Sequence, residues 1–186
     1  FPDYARLVRP VPPTPDEVSR LLAGGEAMLS IYSAADASYV FAVSSAQAGN
    51  TGGNVRLHVA PLGARAAAEA VSALRRALDV GDMPLERLPA FDIALAHRLH
   101  VQLLEPLRPQ WESAGQLIVS ASGALGRLPF SLLVERPANL ARTPLPFACY
   151  ADVSWLVNSR AISHVPSVAA FAALCRLPAA GAGRTP

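Results

Sequence analysis

The periodicity of apolar residues changes once along this chain, and that change bounds what it can fold into. Between residues 26 and 60, three short runs rich in β-branched and aromatic residues are separated by turn signals. Beyond residue 64, helical periodicities alternate with short apolar strands. The first run covers residues 27–32 and the second Ser38–Ser44, with a polar turn at 33–37 between them. A Gly/Asn-rich stretch, 46–54, leads into the third, Val55–Ala60. There Val55, Leu57 and Val59 alternate with Arg56, His58 and Ala60, so the period of two predicts one packed face and one polar face carrying His58. The three runs together predict an antiparallel meander.

The helices punctuate themselves. Thr14 is the predicted N-cap of a short helix, with Pro15 at its first position and Asp16 and Glu17 where the helix dipole favours negative charge. Val18, Leu21 and Leu22 share one face, and Gly24-Gly25 stops it. Residues 64–80 are Ala-rich and helical, with Val71, Leu74 and Leu78 on one face and the pairs Arg65–Glu69 and Arg75–Asp79 on the surface. Residues 91–107 repeat Leu95, Leu99, Leu103 and Leu107 every fourth position, and Pro109 is expected to end that helix. A strand at 116–120 has no alternation, the pattern of a central strand covered on both faces. A turn at Ser122-Gly123, an apolar stretch at 125–134 broken by Pro129 and a Pro-rich loop at 137–150 follow. A last strand near 161–165 precedes a helix over 168–177 capped by Ser167. The fold class is α/β: a mixed sheet with an amino-terminal antiparallel meander and covering helices.

Composition narrows the function classes. All sixteen basic residues are Arg, scattered, and aromatics make up only 6%, which argues against a nucleic-acid surface of clustered cations and stacking rings. No unbroken apolar run is long enough to predict a membrane span. Two cysteines are too few for a disulfide framework and fit a cytoplasmic protein. The chain opens at Phe1 without Met or a signal-peptide pattern, and residues 178–186 read as a linker, so it is expected to be part of a longer protein.

The residues that could carry chemistry do not assemble into a site. His97 and His100, three apart on a helix, can offer two nitrogens to one metal, but the nearest third ligand, Glu105, lies off that face; they are read as exposed or capped helix-face residues. His164, on an apolar strand, is read as a hydrogen-bonded core histidine. Cys149 lies in a Pro-flanked loop and Cys175 inside a helix, and neither follows a strand end as a nucleophile on an α/β sheet does. Ser120-Ala121-Ser122-Gly123 does not match a nucleophile elbow, and Gly49–Gly53 lacks the Lys and following helix of a phosphate loop. Glu17, Glu26 and Asp36 occupy separate elements and form no carboxylate pair. No catalytic, cofactor-binding or metal-binding residue is assigned.

The order of elements nevertheless resembles the start of CHAT domains, caspase-like cysteine peptidase modules associated with tetratricopeptide repeats. The opening Phe1-Pro2-Asp3-Tyr4-Ala5-Arg6-Leu7 with Pro10 is similar to that family's first segment, as are Thr14 to Leu22 and Gly25-Glu26-Ala27-Met28-Leu29. Tyr39-Val40-Phe41-Ala42-Val43 is similar to its second strand, and Leu95-Ala96-His97-Arg98-Leu99 through Leu103, Leu104, Pro106 and Leu107 to its main helix. Most specific is Leu117-Ile118-Val119-Ser120-Ala121-Ser122-Gly123-Ala124-Leu125 followed by Leu128-Pro129-Phe130, which resembles the family's strand, Asp-Gly turn and Leu-Pro-Phe shelf, with Ser122 where Asp is usual. Arg160 to Ser167 resembles the next strand and helix cap, with His164 where an aromatic is common.

The resemblance implies an incomplete caspase-like sandwich. Residues 1–13 would be an extended lead-in from upstream repeats, 14–177 the amino-terminal part of the CHAT domain and 178–186 a linker. In that family the catalytic His ends a later strand in a His-Gly turn, and the Cys ends the strand after it; both positions lie beyond residue 186. The implied role is the structural and regulatory part of a cysteine endopeptidase acting on a protein substrate or answering to a regulatory protein. The alternative is a non-catalytic protein-interaction module.

Overall fold

The structure, a computed structural model, describes residues 12–48, 54–79, 81–84, 87–138 and 147–177. The lead-in up to residue 11, the glycine-rich stretch 49–53 and the linker 178–186 lie outside the described residues. The elements in chain order are α1 (Pro15–Leu21), β1 (Glu26–Ser33), β2 (Ser38–Ser44), β3 (Val55–Ala60), α2 (Ala64–Arg75), α3 (Ile93–Leu103), the one-turn α4 (Arg108–Trp111), β4 (Gln116–Ala121), the one-turn α5 (Leu156–Ser159), β5 (Ala161–His164) and α6 (Val168–Cys175). They form a mixed five-stranded sheet in the order β3-β2-β1-β4-β5. The meander half is antiparallel, with β1 against β2 and β2 against β3. The other half is parallel, with β4 between β1 and β5.

Helices cover the two faces unequally. On the larger side, Ala27, Leu29 and Ile31 of β1, Val40 and Ala42 of β2, and Leu117 and Val119 of β4 pack against Val71 and Leu74 of α2 and Ala96, Leu99 and Leu103 of α3. Full burial of each such Leu, Ile or Val stabilises the fold by about 1.5–3 kcal/mol. On the smaller side, Met28, Val43 and Ile118 meet Val18, Leu22 of α1 and Phe171 of α6. β4 is buried along its four central residues, as its unbroken apolar run predicts.

The caps follow the sequence. Thr14 Oγ1 accepts from Glu17 N, and the Glu17 carboxylate accepts from Thr14 N at 2.8 Å, a complete capping box. Ser167 Oγ accepts from Ala170 N at 3.0 Å to open α6. Two helix ends depart from expectation. α2 stops at Arg75, so Leu78 falls beyond it and is exposed. α3 stops at Leu103, ahead of Pro106, and Pro109 begins the next helical turn instead of ending the last one. A proline lacks only the N–H that a first turn leaves unpaired, so Pro109 suits the start of α4.

The phase of β3 also runs opposite to expectation. Ala60 is fully buried towards the larger core, whereas Leu57 and Val59 are about half exposed, at 52% and 49%. Pairing sets this phase: β3 is in register with β2, where Val40 and Ala42 face the larger core opposite His58 and Arg56. Leu57 and Val59 therefore share a face with Phe41 and Tyr39.

Candidate functional site

In open α/β sheets, ligands and reacting groups sit outside the carboxyl ends of the parallel strands. Here those ends belong to β1, β4 and β5. β1 and β4 are tied there by Ser122, whose N–H donates to Ile31 O at 2.9 Å while its Oγ accepts from Ser33 N at 3.0 Å. Gly123 follows in the left-handed region (φ 60°), which a glycine reaches without strain. A short hydroxyl chain continues sideways: Ser33 Oγ is 3.4 Å from Ser38 Oγ, which donates to Leu62 O at 2.6 Å. Among the described residues, these three hydroxyls bond to one another and to backbone groups, not to a histidine.

β5 closes the parallel half as its outer strand. Ala161 N donates to Gly115 O and Val165 N to Val119 O, so the intervening N–H groups of Ile162 and His164 point away from β4. His164 is exposed, not a core residue, and its ring lies 5.8 Å from that of Phe130. The prediction of a buried histidine fails because β5 is an edge strand only four residues long. Beneath it, Leu128 and Phe130 are both buried, so the Leu-Pro-Phe segment forms a shelf under the strand's end.

The second cluster lies on the helical side. His100 is fully buried, which corrects its reading as an exposed helix residue, and its ring nitrogens have no hydrogen-bond partner among the described residues. Desolvation pushes its pKa down to about 4, against the pull of the Glu105 carboxylate 4.0 Å from Nδ1. His97, stacked 6.4 Å away, contacts Val134 O through Nδ1 at 2.9 Å. The Glu105 carboxylate itself takes two 2.7 Å hydrogen bonds from Arg108, and these hold its pKa below the ordinary range. No three His, Cys, Asp or Glu side chains among the described residues gather into a metal-holding group.

Trp111 anchors this cluster in a way that sequence spacing does not reveal. Its indole N–H donates to Leu104 O, and the Arg160 guanidinium lies 4.6 Å above its ring. Arg160 also donates to Trp111 O and Ala114 O and reaches Glu135 at 3.5 Å. These contacts join residues up to 49 positions apart and pin the start of β5 to the loop before β4. The buried indole and the cation on its face make a structural clamp.

The remaining candidates are apart. His58 is half-buried, not solvent-facing, and its Nε2 lies 3.0 Å from Gln102 O at the end of α3. Cys149 sits half-buried in the turn Ala148–Tyr150, and Cys175 is exposed at the end of α6; both are free thiols. Desolvation and the Glu26 carboxylate raise the Cys175 pKa, the opposite of what a nucleophile requires. Glu17 caps α1, Glu26 accepts from Ala23 N at 2.8 Å, and Asp36 lies in the β1–β2 turn. No helix among the described residues is long and apolar enough to cross a membrane. Compared with known proteins, the chain matches no family model and no curated protein.

Proposed function

We propose that this chain is the structural and regulatory amino-terminal portion of a CHAT-type, caspase-like cysteine endopeptidase whose His/Cys dyad comes from sequence beyond residue 186. The observation that carries this reading is the parallel half of the sheet: β1, β4 and β5 run in one direction, and β5 is the outer strand. Two further parallel strands added beyond β5 would bring their carboxyl ends level with Ser33, Ser122 and His164. A dyad in that position needs such neighbours, because nucleophile and base must be held to within about 0.5 Å by rigid elements. The histidine would then act as general base while the thiolate attacks the scissile carbonyl.

The order of motifs supports the same reading, as does the buried Leu128–Phe130 shelf beneath β5. We place tetratricopeptide repeats upstream in cis, a protein substrate or regulatory protein as the partner, and the parent protein in the cytoplasm, where two free thiols persist. The test is to extend the protein by the next ~150 residues, the size of another ordinary domain, and treat it with a thiol-reactive peptidyl probe. Labelling of a cysteine beyond Pro186, lost when that cysteine is replaced, is the expected result. Labelling confined to Cys149 or Cys175 would overturn the assignment, and no labelling would favour the non-catalytic interaction module.

A further inference from the structure

His100 is a buried titratable group that the proposed function leaves unused. Its side chain is fully enclosed, and neither ring nitrogen has a hydrogen-bond partner among the described residues. It lies edge-on to the Trp111 indole, with ring centroids 6.1 Å apart. The Arg160 guanidinium lies 4.6 Å and the Arg108 guanidinium 5.4 Å from the centre of the same indole. Trp111 is fully buried as well, so one enclosed ring is shared by an imidazole and two fixed cations.

The charges that face His100 accommodate a second ring proton poorly. From α3 itself comes His97, stacked 6.4 Å away with its Nδ1 on Val134 O at 2.9 Å. From the turn after α3 comes Glu105, whose Oε2 lies 4.0 Å from His100 Nδ1. Arg108 already takes both Glu105 oxygens, at 2.7 Å each. Arg108 on α4 and Arg160 at the start of β5 both oppose protonation. Glu112 and Glu135 act on those two arginines, and Glu135 reaches Arg160 at 3.5 Å. An imidazolium needs acceptors for two N–H groups, and the nearest carboxylate is engaged elsewhere.

Trp111 couples this cluster to the sheet. Arg160 donates to Trp111 O at 3.0 Å and to Ala114 O at 3.3 Å, and the adjacent Gly115 O accepts from Ala161 N at 2.8 Å, where β5 begins to pair with β4. β5 is the outer strand and the shortest of the sheet, at four residues. An opening that lets His100 meet water returns its ring to ordinary basicity, about 6.5, whereas the enclosed ring takes a proton only near 4. The closed form therefore binds fewer protons between those values. Acid favours the open form by up to about tenfold per pH unit, roughly 300-fold across the window.

We infer that His100 is an acid-sensitive latch: its protonation displaces the Trp111 indole and frees Arg160, so that the start of β5 opens from β4 while the meander stays folded. The test is amide hydrogen exchange of the whole chain between about pH 7 and about 4.5, each rate corrected for its intrinsic pH dependence. The Ala161 amide should exchange through an opening at least about tenfold more frequent at the acid end, and one that low urea barely changes, the mark of a local event. His100→Gln, which cannot take the charge, should abolish that pH dependence. With Trp155→Phe, which leaves Trp111 as the one indole, acrylamide quenching should rise over the same range. An Ala161 opening with the full urea dependence of the β1 and β2 amides would overturn the proposal, because β5 would then part only on global unfolding. A local opening that ignores pH would overturn it too; both outcomes are read in the unmodified chain and stand even if His100→Gln fails to fold. Unchanged quenching, or a pH dependence that survives in His100→Gln, would also sink it, the latter by assigning the opening to the carboxylates.

Discussion

On the face of the sheet under α2 and α3, four of the five strands contribute buried residues, from Ala60 on β3 through Val40, Ala42, Leu29 and Ile31 to Leu117 and Val119 on β4, and β5 adds the partly buried Ile162. The opposite face is covered over only part of its area, where Met28, Val43 and Ile118 lie beneath α1 and α6; further along β2 and on the neighbouring β3, Tyr39, Phe41, Leu57 and Val59 are exposed. The larger face buries far more apolar residues than the smaller one, whose exposed stretch has no such cover among the described residues.

Truncation of a core ring tests this division most severely. Phe130→Ala, on the larger side and fully buried, should cost about 3–5 kcal/mol in urea unfolding. Phe171→Ala, in the six-residue cluster beneath α1 and α6, should cost less. Equal losses would break the comparison, since the second face would then hold the fold as firmly as the first.

The next largest effect is a pH dependence confined to the larger side. Unfolded His100 takes up a proton below about pH 6.5, whereas the buried ring resists protonation down to about 4. Between those values the unfolded chain binds more protons, so stability falls as the pH falls, by on the order of 3 kcal/mol across the window. The surrounding charges are Glu105, which opposes the shift, and Arg108, His97 and Arg160, which add to it. His100→Leu should flatten the stability profile between pH 6.5 and 4; a profile as steep as that of the unmodified chain would refute the assignment.

A smaller loss is expected on the thinner side. Thr14→Ala removes the hydroxyl half of the capping box on α1 and should cost about 1 kcal/mol. Thermal unfolding of the variant measures it, and an unchanged midpoint would mean that α1 is held by its packing alone.

Much of the fold is legible from local pattern. β2 and β3 begin and end where their apolar runs do, and Thr14 and Ser167 cap the helices that their positions predict. These features depend on a residue and its near neighbours: a hydroxyl three positions from an amide, a turn-forming glycine, a run of β-branched side chains. The misread residues are those whose environment comes from afar. His58 and His100 look polar by residue type, but one rests against the end of α3 and the other lies under Trp111. His164 lies in an apolar run, yet it is exposed at the sheet edge. The Arg160–Trp111 clamp has no sequence signature, because its partners are 49 positions apart.

By itself, then, the sequence determined the fold class, the order of the five strands and the main helices, and the Thr14 and Ser167 caps. Alternation along β3 showed two faces, but the face it predicted to pack, that of Leu57 and Val59, is the exposed one. Only the tertiary structure decided that, because the register with β2 turns Ala60 and His58 towards the larger core and leaves Leu57 and Val59 outside. A strand's period is local, but its phase is set by the strands and helices it packs against.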